Sequence, residues 1–108
     1  MTIDPNEAIN FMIKNAEAYA QAKAQVVYLT EYRKTVKALG FQRSLKNTMA
    51  EKEADAYTTV EYATCVEGLK EAVAEAERLR WMLVAAQARV DVWRSQEASN
   101  RSIERSTH

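Results

Sequence analysis

The sequence predicts an all-α protein, an elongated antiparallel helical hairpin or coiled coil with a short middle helix. Three observations carry that prediction. Of the 108 residues, 18 are Ala, alongside many Glu, Lys, Arg, Gln and Leu, all strong helix formers. Only 2 Gly and 1 Pro are present, which leaves little from which to build tight turns. The C-terminal half repeats apolar residues at coiled-coil spacing over five heptads. At this length the chain has room for one domain.

The first helix is expected over about residues 5 to 39. Asp4-Pro5-Asn6-Glu7 is a helix start: Asp4 accepts from the free amides, Pro5 sits where a missing N–H costs nothing, and Glu7 completes a capping box. Ile9, Met12, Ala16, Tyr19 and Val26 form its apolar stripe, with Lys23 interrupting, and Leu29, Tyr32, Val36 and Leu39 continue it. Gly40 is either the left-handed residue that ends this helix or a glycine tolerated inside a longer one at about 1 kcal/mol relative to Ala. Residues 41 to 57 read as a short, partly exposed middle helix with a weak stripe through Leu45, Met49 and Ala56. Thr58-Thr59-Val60-Glu61 matches a second capping box with Thr58 as the cap, so a third helix is expected over about residues 59 to 98.

That third helix has the clearest pattern. One series runs Tyr62, Leu69, Ala76, Leu83, Val90 and the other Cys65, Ala72, Leu79, Ala86, Trp93, with the polar Glu97 and Asn100 next in line. The alanines let a partner backbone approach near the short end of the roughly 8–10 Å interaxial range, and the larger residues supply buried area. A helix of some 40 residues rises about 60 Å, hence the expected elongation. Residues 99 to 108 turn polar and are expected to fray, with the single histidine, His108, at the end.

Net charge is zero, yet it is distributed in blocks: −2 over residues 1–32, +5 over 33–50, −6 over 51–77 and +3 over 78–108. A hairpin turning near residue 57 would set Lys37, Arg43 and Lys46 near Glu71, Glu75 and Glu77, each exposed pair contributing about 0–1 kcal/mol and together selecting the register. A second apolar stripe, Trp81, Ala85, Ala88 and Val92 with Met82 and Val84 beside it, lies away from the heptad seam. The third helix is therefore apolar over more of its circumference than one partner covers. A second copy of the chain, giving a homodimeric bundle, is the first expectation for what covers it, and a foreign protein the alternative.

Several chemistries are excluded by count. One Cys and one His make neither a disulfide framework nor a Cys/His zinc site. There is no Glu-x-x-His motif, no phosphate-binding glycine loop and no nucleophile elbow, so no catalytic, cofactor or metal site is assigned and no small-molecule substrate is expected. No apolar run is long enough to span a membrane, and the first residues lack the pattern of a secretory signal, so a cytoplasmic setting is expected.

Two binding sites remain as candidates. The stretch Arg33, Lys34, Lys37, Phe41, Arg43 and Lys46 offers cations for phosphates and a ring for base stacking, as in a single-stranded DNA groove; the competing reading is a solvated face neutralised by the acidic block. Arg78, Trp81, Met82, Ala85, Ala88 and Val92 form a candidate partner-binding face, because Trp with Arg marks many interface hot spots. Trp93 lies on the seam and is read as core, as is Cys65.

The segments Glu67-Gly68-Leu69-Lys70-Glu71-Ala72-Val73, Glu77-Arg78-Leu79-Arg80-Trp81 and Ala88 through Ala98, with Tyr28 to Lys37, resemble small all-helical accessory proteins encoded in the early DNA-metabolism gene clusters of temperate tailed phages, beside recombination and single-strand-binding genes. The resemblance implies a setting in the cytoplasm of a bacterial host. It also implies a non-catalytic role that binds and modulates a recombination, replication or host-defence protein.

Overall fold

The computed structural model describes residues 3–107, in which the chain forms three α-helices: α1 (Pro5–Arg43), α2 (Met49–Tyr57) and α3 (Val60–Thr107). No strand occurs among the described residues, and His108 lies outside them. The protein is an all-α helical hairpin with a short middle helix.

α1 begins as its sequence directs. Asp4 Oδ1 accepts a 2.9 Å hydrogen bond from the Asn6 amide, and the Ala8 amide donates to the Asp4 carbonyl. The helix then runs past residue 39, through Gly40, to Arg43. Gly40 keeps a negative φ, so it is no left-handed cap. Its role is steric: a Cβ there would come within 3.1 Å of Ala56 Cα and 3.3 Å of Thr59 Cγ2. Ser44 ends the helix instead. Its amide donates to the Phe41 carbonyl at 3.3 Å, while its hydroxyl accepts from the Lys46 amide at 3.2 Å and donates to Asp55 Oδ2 at 2.7 Å.

The middle helix is shorter than the expected 41 to 57, because residues 41–43 belong to α1 and α2 starts only after Thr48. Thr48 Oγ1 accepts from the Glu51 amide at 3.1 Å, so Thr48-Met49-Ala50-Glu51 carries the same Thr-x-x-Glu signature sought farther along the chain. The cap of α3 also shifts by one residue. The Thr58 amide and hydroxyl both donate to the Asp55 carbonyl, closing α2, which leaves Thr59 Oγ1 to accept from the Tyr62 amide at 3.1 Å. At its far end α3 continues to Thr107 rather than fraying from residue 99. No Gly or Pro lies in residues 99–107, and the Ser106 and Thr107 hydroxyls fold back onto the carbonyls of Ser102 and Glu104, each at 3.0 Å.

The heptad seam of α3 lies where the sequence puts it: Tyr62, Cys65, Leu69, Ala72, Ala76, Leu79, Leu83, Ala86, Val90 and Trp93 are buried or half-buried, and Glu97 and Asn100 are exposed. The seam of α1 keeps five of its nine expected residues, Met12, Tyr19, Val26, Leu29 and Val36. It runs Ala8, Met12, Asn15, Tyr19, Ala22, Val26, Leu29, Arg33, Val36, Gly40 in strict steps of three and four, whereas Ile9, Ala16, Tyr32 and Leu39 of the expected stripe are exposed. Small residues take seam positions because the facing backbone is close, and Asn15 is accommodated by donating its amide to the Phe11 carbonyl at 2.9 Å. At the other four positions an apolar count selects the neighbour one residue off: Ile9 for Ala8, Ala16 for Asn15, Tyr32 for Arg33 and Leu39 for Gly40.

Two compact units form along the chain. One joins the start of α1 to α3 from Arg78 onward; the other spans residues 20–77. In the first, Ala8, Ala86 and Val90 are buried together, with Phe11 and Met12 packed on them. In the second, Cys65 Sγ lies 3.9 Å from the Leu29 carbonyl oxygen, and Gly40 meets Ala56 and Thr59. This ordering makes α1 and α3 antiparallel there.

These contacts and caps set three stability tests by thermal or urea melting. Gly40→Leu should lower stability by about 1–3 kcal/mol through overpacking. Gly68→Ala should raise it by about 0.5–1 kcal/mol, since the added Cβ meets only Leu29 Cδ1 at 3.8 Å. Removing the α3 cap by Thr59→Ala should cost about 1 kcal/mol and Thr58→Ala clearly less, the reverse of what a cap at Thr58 requires.

Candidate interaction surfaces

On α3, in the first unit, the outer flank is open. Trp81 is 58% exposed, Val92 47% and Met82 40%, and Ala85 and Ala88 between them are exposed as well. These residues recur at helical spacing, so they form one continuous face. The Arg80 guanidinium stacks 4.9 Å from the Trp81 ring centroid, and Arg78 Nη1 lies 3.2 Å from Met82 Sδ. Both arginines thus shelter apolar or polarisable groups while remaining at the surface. Beside this face, Met82, Ala85 and Arg89 line a groove of about 560 Å³ with Phe11, Asn10 and Lys14 of α1. All six residues of the predicted partner-binding face fall on or beside this flank. Trp93, by contrast, is half-buried at the last seam position of α3.

The basic stretch, in the second unit, is not a free row of cations. Lys34 Nζ is 3.2 Å from Glu31 one turn earlier in α1. Lys37 Nζ is 3.1 Å from Glu53 of α2 and 4.5 Å from the Tyr57 ring centroid, and the bond to Tyr57, followed by that to Glu53, raises the Lys37 pKa above its ordinary 10.5. Arg33 is a half-buried seam residue, Phe41 is half-buried with Lys52 Nζ 5.9 Å from its ring centroid, and Arg43 and Lys46 are exposed. Neutralisation by the acidic block is therefore real but has a different partner from the expected one. With the Leu29 carbonyl beside Cys65, residues Glu71, Glu75 and Glu77 lie beyond the basic stretch, on the far side of Leu29. Lys37 is paired by α2 instead.

A further exposed group was missed by sequence reading. The Tyr28 and Tyr32 rings stack at 5.7 Å with an interplanar angle of 7°, and both are exposed, as are Leu39 and Val60. Tyr32 and Val60 line a groove with Leu29, Thr64, Cys65 and Gly68. The signal was present as the i, i+4 tyrosine pair, but only Tyr32 of the two was assigned, to a core stripe that lies one residue away.

Among the described residues no cluster of three His, Cys, Asp or Glu gathers as a metal site would need, and no helix is long and apolar enough to cross a membrane. No family model, no curated protein and no solved structure matches the chain.

The Lys37 environment is testable by heteronuclear NMR: its ammonium should titrate with a midpoint above 10.5. A group with a raised folded-state pKa contributes stability below its unfolded value and loses it as pH rises through the folded one. The alkaline fall in stability should accordingly be shallower in Lys37→Met than in the native chain.

Proposed function

We propose that this chain is a non-catalytic helical hairpin that works by protein–protein contact, with the outer flank of α3 as its docking face. The observation that carries the reading is the open apolar face of Trp81, Met82 and Val92, bordered by Arg78 and Arg80. Large exposed apolar side chains gathered on one helical face are costly in water and gain free energy when a partner covers them. Trp and Arg together supply the area and the directional contacts that dominate interface energies. The resemblance to accessory proteins of phage DNA metabolism supplies the setting in which to seek foreign partners: recombination, replication and host-defence proteins.

Direct binding of single-stranded DNA is the weaker reading, because Lys34 and Lys37 are engaged with Glu31 and Glu53 and Arg33 is half-buried in the seam. The two readings separate in one set of measurements. Complexes of the native chain with protein, its own copies included, should be retained on size-exclusion chromatography and lost with Trp81→Glu. Fluorescence polarisation with labelled oligonucleotides should show no binding. Oligonucleotide affinity that falls steeply with salt and vanishes in Arg33→Ala/Lys34→Ala/Lys37→Ala would replace the protein-contact reading with the nucleic-acid one.

A further inference from the structure

The stacked tyrosines of the second unit border a groove whose charge and ring chemistry select an occupant. Its floor is apolar, made of Leu29, Val36 and the buried Cys65, and it encloses about 380 Å³. Tyr32 belongs to its α1 wall, and Tyr28 stacks on Tyr32, so two exposed rings lie on that side. The α3 wall holds Glu61, Thr64 and Gly68, and steps of three, four and three carry the same line on to Glu71. Glu61 is the one charged residue among those lining the groove. Both Glu61 and Glu71 are exposed and have no ion-pair partner among the described residues. A hollow adjoins the groove through Tyr32, Val36 and Glu61; there Arg43 is outnumbered by Asp55 and Glu61, which leaves a negative charge in excess.

We propose that this groove is a second interaction surface, independent of the Trp81 face, and that it receives a basic amphipathic helix of another protein. Unpaired carboxylates along the α3 wall attract cations and repel acids. The exposed tyrosine rings on the α1 side add to the same preference, because the face of an aromatic ring attracts Lys and Arg. A cation entering between Glu61 and Tyr32 gains from both. The apolar floor requires apolar side chains between the cations of the bound segment. Both walls are helices whose backbone groups are bonded internally, so they offer no edge on which a strand could pair, and the occupant is a segment that satisfies its own backbone. Gly68 gives it room: a Cβ at that position would meet only Leu29 Cδ1, at 3.8 Å, so the wall is open where a side chain would otherwise stand. Ten residues separate Glu61 from Glu71, about 15 Å along α3, which sets the matching cations about three turns apart on the bound helix.

Selection from a pool of synthetic helices of about 18 residues, five turns long, reads this chemistry directly. The peptides keep leucines at steps of three and four, vary the flanking positions among Lys, Arg, Gln and Glu, and are presented to the immobilised native chain. Bound peptides should be enriched in Lys and Arg over Glu by about 10-fold, and amide shifts of the chain on their addition should centre on Thr64 and Gly68. In fluorescence polarisation at physiological ionic strength, the tightest of them should lose about 10-fold in affinity with Tyr32→Ala and as much with Glu61→Gln/Glu71→Gln. Gly68→Leu fills the groove and should abolish binding with its helical circular dichroism retained; should that variant fail to fold, the exposed Glu61→Gln/Glu71→Gln pair decides. Trp81→Glu should leave the affinity unchanged, so this proposal and the reading of the α3 flank fail separately. Enrichment of Glu, no bound peptide at all, or binding that persists in a folded Gly68→Leu chain overturns the proposal. So does a peptide released by Trp81→Glu, which assigns the contact to the other face.

Discussion

Close approach of two helix backbones at small residues is the constraint on which the other features of this protein depend. Gly40 lies against Ala56 and Thr59 so tightly that a single added methyl would meet backbone at 3.1 Å. Along the chain the buried positions are Ala, Val and Cys, and only Leu79 among them is larger than valine. Small residues of that kind let the backbones approach. The larger seam residues, among them Tyr62, Leu69, Leu83 and Trp93, are only half-buried, while Tyr28, Tyr32 and Trp81 lie off the seam and exposed.

Charge has a secondary role. The alternating acidic and basic blocks suggest a hairpin zipped by ion pairs; Glu31 with Lys34 and Glu67 with Lys70 are pairs within one helix, and Glu53 with Lys37 joins α2 to α1. Exposed pairs of this kind contribute at most about 1 kcal/mol each. At the turn, Gly40 lies against Ala56 and Thr59, and Thr48 and Thr59 cap the starts of α2 and α3. The Ser44 to Asp55 hydrogen bond at 2.7 Å then ties the end of α1 to α2.

Surface chemistry and fold are linked by the same packing. α3 has one heptad seam turned to its own chain and an exposed flank carrying Trp81, Ala85, Ala88 and Val92. The stacked Tyr28 and Tyr32 and the adjacent groove supply a separate apolar surface within residues 20–77.

The amino-acid sequence alone determined the all-α class, the start of α1 at Asp4-Pro5, the full seam of α3 and the open flank at Trp81. Each of these is written in composition, in a local cap or in a period of large apolar residues. It did not determine the α1 seam positions Ala8, Asn15, Ala22, Arg33 and Gly40, the helical role of Gly40, the division of residues 41–59 or the partner of Lys37. Those were decided by tertiary structure, for a common reason. Where a seam is built from Ala, Gly, Asn and the stem of an Arg, what places a residue inside is the nearness of another backbone, and that nearness has no signature in hydrophobicity. The same holds for Thr58 and Thr59: either hydroxyl can cap a helix, and the carbonyl of Asp55 takes the first, leaving the second for α3.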